Sequence, residues 1–399
     1  MSRQIVVGID IGSSETKVII AEDSVEQGRF VPKIIGTGTA LTSGVENGFV
    51  RDATEASRSV RLAVDKAEKM AGVKVKRAYV AFGGIGLSSL ITTGSTATSR
   101  ADMEISEKDI DTALETAEAS IPKSFSINKR IINTIPVEYK LDGAPAWGDP
   151  AGLKANKLEV KTLFITCLEH HLAELIKTVE EANIEVIDVV AAPIAASFVT
   201  ISKKERRVGS VLVDIGAETL SIIAFENGNP VSLEVLRMGG EDLTNDIALG
   251  LKLPLDEAEA IKIGELSRSP YSKKKLDDIV SRRLSDLFEL VENHLKKIGR
   301  DQLMPGGSIL SGGSAKISGL KTFAEEALRL PARVAEIHFG SGDKNKIRDS
   351  QWTVASGLIL VGFNSSGEGG LIGGKKEALT REGGRILRKA SRWFSQFLP

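Results

Sequence analysis

Residues Ile5–Ile20 read IVVGIDIGSSETKVII, and the fold is decided there. Two runs of β-branched apolar residues flank a Gly/Ser turn, which predicts a β-hairpin. The first strand ends at Asp10, the turn holds Gly12, Ser13 and Ser14, and Lys17 stands where the chain returns. Gly12 lets the backbone approach a ligand closely, and consecutive turn N–H groups can form an anion nest. Lys17 adds a point charge. The assembly suits a phosphate chain, with Asp10 placed to orient a hydrated Mg²⁺.

One such turn is weak evidence, but it has an echo. Val211–Phe225 reads VLVDIGAETLSIIAF, again strand, Asp214-Ile215-Gly216, a short turn through Ala217, Glu218 and Thr219, and strand. A self-similar unit in each half implies two related lobes facing one another across a cleft. A third stretch, Ser308–Leu320 (SILSGGSAKISGL), is a strand running into Gly312-Gly313 and then a helix start carrying Ser314 and Lys316. There the backbone can meet a nucleotide at a helix N-terminus.

Together these stretches resemble the actin/Hsp70/sugar-kinase ATPase superfamily. Asp10, Gly12, Ser13 and Lys17 match its phosphate-1 pattern. Asp214, Gly216 and Thr219 match phosphate-2, and Gly312 and Gly313 match the adenosine motif. The resemblance implies an α/β, actin-like two-lobed fold with ATP and Mg²⁺ in the cleft. Asp10 and Asp214 would hold the metal through water.

Composition fits this reading. The chain has 399 residues, 42% apolar and 26% charged, with net charge −1. It is long enough for several domains and carries no nucleic-acid-type basic bias. Its one cysteine, Cys167, lies in the apolar run LFITC and reads as a core thiol; one cysteine forms no intramolecular disulfide and points to a reducing compartment. His170 and His171 lack any carboxylate pattern for metal binding. No signal peptide and no membrane-spanning run is expected, so the reading is cytoplasmic, unless something peripheral holds the chain to a membrane.

The rest of the chain parses around the three motifs. A strand pair near Phe30–Leu41, a helix over Thr54–Ala71 and a strand over Val75–Phe82 complete the first half-lobe. Residues 84–165 read as an inserted α/β subdomain, with Ser106 capping a helix to Ala119, a strand at Ile131–Leu141, a loop at Asp142–Asn156 and a strand at Leu158–Cys167. Helix Glu169–Ala182, strand Glu185–Val190 and helix Pro193–Ser202 follow. Lys203–Arg207 reads as a charged surface turn. Beyond the second hairpin, helices are expected from Gly239 to Leu251, Asp256 to Ser267, Asp277 to Gly299, Leu320 to Leu328 and Thr353 to Val361. From Phe363 to Gly384 the composition is that of a flexible linker. Within it GGLIGGKK (Gly369–Lys376) nearly spells a Walker A loop, but Lys376 stands where Ser or Thr is needed for Mg²⁺.

Residues 385–399 behave differently. Ile386, Ala390, Trp393, Phe394 and Phe397 fall on one helical face, flanked by Leu387 and Leu398. Arg385, Arg388, Lys389 and Arg392 gather on the other, with no acidic residue. A basic amphipathic helix after a linker reads as an anchor for an anionic membrane surface, with docking on the chain's own body and binding to a calmodulin-like partner as the alternatives. One copy binds marginally, so secure attachment asks for an assembled array.

The whole chain, tail included, resembles the FtsA family of bacterial cell-division proteins. RMGGEDLTNDIALGL (Arg237–Leu251), EAIKIGE (Glu259–Glu265) and the tail carry that likeness. It implies subdomains 1A (1–83 and 166–203), 1C (84–165), 2A (204–237 and 305–363) and 2B (238–304), a linker over 364–384 and the tail helix. It implies self-assembly into filaments, docking of the FtsZ C-terminal tail on 2B and of other division proteins on 1C, and a place on the inner face of the cell membrane at the division site. Glu259 and Lys262 match the superfamily's ribose-contacting Glu-x-x-Lys helix. One departure stands out: the run at Pro193 is APIAASF, without the Gln or Glu that positions an attacking water. Hydrolysis is therefore expected to be slow. A PilM-like pilus-assembly protein shares the core and the insertion but reaches the membrane through a partner, and a sugar kinase would need a catalytic base near the cleft and polar sugar-binding residues and has no use for the tail.

Overall fold

The computed structural model describes residues 4–26, 29–265, 272–339 and 347–367. The expected linker beyond 367, its Walker-like stretch and the tail residues Ile386 to Leu398 lie outside the described residues.

Strands β1 (Ile5–Ile11) and β2 (Glu15–Glu22) form the first hairpin, with Asp10 opposite Lys17. Strand β3 (Lys33–Leu41) extends it. Helix α1 (Ala53–Ala71) packs on these strands, its N-terminus capped by the Asp52 carboxylate. Strand β4 (Arg77–Phe82) then lies parallel to β1.

The inserted segment contributes β5 (Ser88–Ala97), α2 (Glu107–Ala119), β6 (Lys129–Leu141), β7 (Ala144–Ala146) and β8 (Lys157–Leu168). Ser106 and Asp109 close a reciprocal capping box at the start of α2. The small strand β7 sits inside the span expected to be loop. Ile105, Ile110, Ala113, Ala117, Leu158 and Phe164 belong to a separate small core here.

Helix α3 (Glu169–Glu181), strand β9 (Glu185–Ala191) and helix α4 (Ala192–Thr200) return the chain to the first lobe. Every residue of α4 is buried. Lys203–Val208 is a helical turn, α5, rather than a surface loop. Arg206 in it is buried, its guanidinium 5.2 Å from the Phe198 ring and 5.0 Å from Phe225, and Nη2 donates to Ser197 O at 2.6 Å. Burial pushes its pKa down to about 10. The charged composition misled because two aromatic faces and one carbonyl shelter a single cation of the run.

The second lobe is β10 (Ser210–Ile215), β11 (Thr219–Glu226), β12 (Asn229–Arg237), α6 (Gly240–Leu251), α7 (Leu255–Lys262), α8 (Lys273–Lys297), β13 (Ser308–Ser311), α9 (Leu320–Leu328) and β14 (Ala332–Val334). Helix α7 stops at Lys262, earlier than expected. Helix α10 (Thr353–Gly367) closes the core of the first lobe against α4 and β1. It runs past Phe363, where the linker was expected to begin. The Ser- and Gly-rich composition there conceals two buried positions, Gly362 against Val6 and Tyr79, and Phe363 itself.

Sheet order is β9-β4-β1-β2-β3 in the first lobe. The other sheet runs β7-β6-β8-β5-β12-β11-β10-β13-β14, so the insertion and the second lobe share nine strands among the described residues. The join is short. Glu234 of β12 pairs with Ser88 of β5, Val235 N–H donates to Leu87 O at 3.0 Å, and Ser89 Oγ accepts from Leu233 N–H at 2.7 Å. From the far side of β12, the buried His294 of α8 meets Ser232 Oγ at 3.1 Å and Glu234 at 2.7 Å. That pair of bonds pins the long helix to the joining strand.

Candidate functional site

The two predicted turns share one construction. Gly12 N–H donates to Glu15 O at 3.1 Å, and Gly216 N–H donates to Thr219 O at 2.9 Å. Asp10 stands opposite Lys17 in one hairpin, and Asp214 opposite Ser221 in the other, at the same register. The two lobes bring these ends together. Burial holds the Asp10 carboxyl up at about 6, with Lys17 drawing it down and the charge of Asp214 raising it. Asp214 is also raised, chiefly by burial, against a hydrogen bond from Ser311 and the pull of Lys17. Lys17 thus acts on both carboxylates. Its ammonium lies 3.2 Å from Glu15, with the side chain 12% exposed. Asp214 Oδ2 is buried without a hydrogen-bond partner. A buried, unsatisfied carboxylate oxygen costs free energy unless a cation or water meets it.

The second turn is strapped to its surroundings through backbone. Gly240 N–H donates to Gly216 O at 2.9 Å and Glu241 N–H to Ala217 O at 2.8 Å, which sets the start of α6 against the turn. Ser314 Oγ donates to Gly216 O at 3.2 Å. Gly312 has φ +88°, and a Cβ there would come within 2.4 Å of Ile215 O. Gly313 opens a single 3₁₀ turn through Lys316 rather than a longer helix. Lys316 points to Asp349 at 2.6 Å, so it belongs to the outer wall of this region.

Glu259 and Lys262 form a 2.6 Å ion pair on α7. Lys262 Nζ also donates to Gly240 O at 3.1 Å, and Thr244 Oγ1 donates to Glu259 Oε2 at 2.6 Å. The pair therefore abuts the start of α6, next to Ser314. Glu241 joins it: burial and the charge of Glu218 raise its carboxyl, against Lys262. Asp10, Lys17, Asp214, Gly216, Ser314, Glu259 and Lys262 thus line one region between the lobes. It offers carboxylates beside a lysine, turn amides, and a polar cluster of Glu259, Lys262 and Ser314 beyond them. Cys167 is elsewhere, buried in the core, its thiol pushed up to about 12 by burial. His171 stacks on Phe49 at 3.7 Å.

Sequence reasoning missed the Asn47-Gly48 turn of a two-residue hairpin joining Val45–Glu46 to Phe49–Val50. Both residues have positive φ, 52° and 72°. Gly48 N–H donates to Ser13 Oγ at 3.1 Å, and Asn47 N–H donates to Glu218 Oε2 at 2.5 Å. Ser13 and Glu218, expected to face a ligand, are joined through this turn across the lobes. The signal was present: Asn-Gly between apolar residues is a strong hairpin mark. The sequence also gave no hint of Ser311 behind Asp214.

Among the described residues no group of three or more His, Cys, Asp or Glu is placed to hold a metal, and no helix is long and apolar enough to cross a membrane. A family model described as cell division protein FtsA matches residues 211–357, and another, the SHS2 domain inserted in FtsA, matches 84–166. The FtsA of Bacillus subtilis is 31% identical over 383 residues, covering 90% of this chain and 83% of that protein. Among solved structures, a PilM–PilN type IV pilus biogenesis complex superposes with TM-score 0.64 at 18% identity, covering 90% of this chain and 98% of that one. MreB5 of Spiroplasma citri bound to ADP gives TM-score 0.52 at 13% identity, covering 90% and 95%. The structural likenesses establish an actin-like α/β fold, shared with these solved structures. The matched insertion, the matched second lobe and the relative 31% identical over 90% of this chain place it in the FtsA family of cell-division proteins.

Proposed function

We propose that the facing hairpins bind Mg-ATP and that the bound nucleotide favours head-to-tail assembly of the chain on the inner face of the cell membrane. The observation that carries this reading is the buried convergence of Asp10, Asp214 and Lys17 from two equivalent turns. Lys17 and the turn amides of Gly12 to Ser14 and Gly216 to Thr219 hold the phosphates. Asp10 and the unpartnered Asp214 Oδ2 fit a hydrated Mg²⁺, which prefers one or two carboxylates plus phosphate oxygens over an all-protein cage. When bound, the metal neutralises phosphate charge. Glu259 and Lys262 accept the ribose side, and Gly312, Gly313 and Ser314 the adenosine. Lys316 has the weakest claim to a contact, because it is already paired to Asp349.

Residue type limits catalysis. Helix α4 presents APIAASF, all buried, with no carboxylate or amide to orient a water. ATP then acts mainly as an assembly ligand. Residues 385–398 tether the filament, with the four cations at anionic headgroups, each contributing about 1 kcal/mol. Weak single attachments multiply along a filament. Residues 238–304 serve as the dock for the FtsZ C-terminal tail, and 84–165 as the surface for other division proteins, as family membership supports.

Flotation on anionic vesicles with Mg-ATP tests the tether. The full chain should float, while a chain ending at Gly384 and a Trp393→Glu variant should not. If the shortened chain floats equally well, the tail is not the anchor.

A further inference from the structure

One face of the second lobe takes no part in the nucleotide region. Helices α8 and α9 lie side by side there and leave a groove of about 330 Å³. Phe288 and Phe323 line it, their rings stacked with centroids 5.9 Å apart; Phe288 is buried and Phe323 half-buried. Glu289, Glu292 and Glu326 stand along it. Glu292 is engaged by Lys296 at 2.9 Å, and on α9 Lys321 faces Glu325 at 3.8 Å. Glu289 feels the charge of Lys296 without pairing to it, Glu326 has no ion-pair partner among the described residues, and both are exposed. An aromatic floor with a carboxylate rim is the complement of a helix with an aromatic face and a basic face.

We infer that this groove receives the chain's own residues 385–398 when no membrane is present. The occupant is specified by charge and by reach. Arg385–Leu398 carries four cations and no acid, beside Trp393, Phe394 and Phe397. Residues 368–384 separate it from the end of α10. Seventeen residues span up to roughly 60 Å extended, against a radius of gyration of about 21 Å for a globular chain of this length. The groove and an anionic lipid surface use the same cations and the same aromatic face, so the two sites compete. Docking keeps the aromatic residues from water in the free protein and gives them up when many anionic headgroups are present. The inference rests on the amphipathic reading of the tail used in the proposed function, but not on membrane binding itself.

The test uses the full chain. Carbodiimide joins carboxylates directly to amines, and Lys389 is the only lysine in 385–399. Mapping by mass spectrometry should show Lys389 linked to Glu289 or Glu326 within monomers, independent of protein concentration and lost when phosphatidylglycerol vesicles are added. Glu289→Gln/Glu326→Gln should remove the link and bind those vesicles about three- to tenfold more tightly than the unmodified chain. Glu180→Gln/Glu181→Gln makes the same charge change on α3 and should leave vesicle binding unchanged. Links that appear only between copies would overturn the assignment to the chain's own tail. No link, with groove and control variants binding vesicles alike, would overturn the groove while leaving the tether reading intact. A link in a chain that never binds vesicles would support the groove and defeat the tether.

Discussion

The two hairpins are built alike and charged differently. In both, an aspartate stands one residue before the end of the first strand and a glycine N–H closes the turn on a carbonyl three residues later. Opposite that aspartate one hairpin carries Lys17 and the other Ser221. The difference assigns labour. The first hairpin supplies the cation, and the second supplies the orphaned carboxylate oxygen. A duplicated backbone can thus hold one ligand asymmetrically, because only one side needs a positive charge.

The largest test of that division is Lys17→Ala. It should lower Mg-ATP affinity by two to three orders of magnitude in calorimetry, since a charge-assisted contact to phosphate is lost in a buried setting. Ser221→Ala at the equivalent register should change it less than threefold. Equal losses would break the comparison. Next comes Gly312→Ala. Its positive φ and the 2.4 Å approach to Ile215 O predict a loss of about 3 kcal/mol, read as a lower melting temperature. Gly313→Ala, where a Cβ meets nothing, should cost far less.

Asp10 gives a pH signature. Its folded pKa, raised to about 6, lies above the ordinary 3.8, so the native state prefers the protonated acid. The penalty for ionising it grows as pH rises from about 4 to 6 and is complete above that. Asp10→Asn removes the penalty. Without ligand, that variant should melt higher than the parent at pH 7.5, by about 3 kcal/mol in stability, with the difference vanishing below about pH 4. The smallest effect is expected at Glu218→Ala, which removes the acceptor for Asn47 N–H. Hydrogen exchange at Asn47 should speed up about fivefold, the equivalent of one modest hydrogen bond.

What was legible in the sequence is local. The hairpins, the Ser106 N-cap and the Glu259–Lys262 helix follow from residue patterns within a few positions, and the structure places them so. What escaped depends on contacts distant in sequence. Arg206 looked like surface until Phe198 and Phe225 closed over it. Phe363 looked like linker because composition does not register a helix packing on β1. The joining of the insertion to the second lobe rests on Ser89 meeting Leu233 across 144 positions, which no periodicity announces. The Asn47-Gly48 turn was readable as a hairpin, but its grip on Ser13 and Glu218 needed the two lobes in place.

The most direct test is calorimetric titration of ATP, with and without Mg²⁺, into the parent chain and Asp214→Asn. The parent should bind ATP much more tightly with Mg²⁺. In Asp214→Asn the nucleotide should still bind, with an affinity that no longer responds to the metal. Full Mg²⁺ dependence in Asp214→Asn, or no ATP binding by the parent, would contradict the shared site between the hairpins.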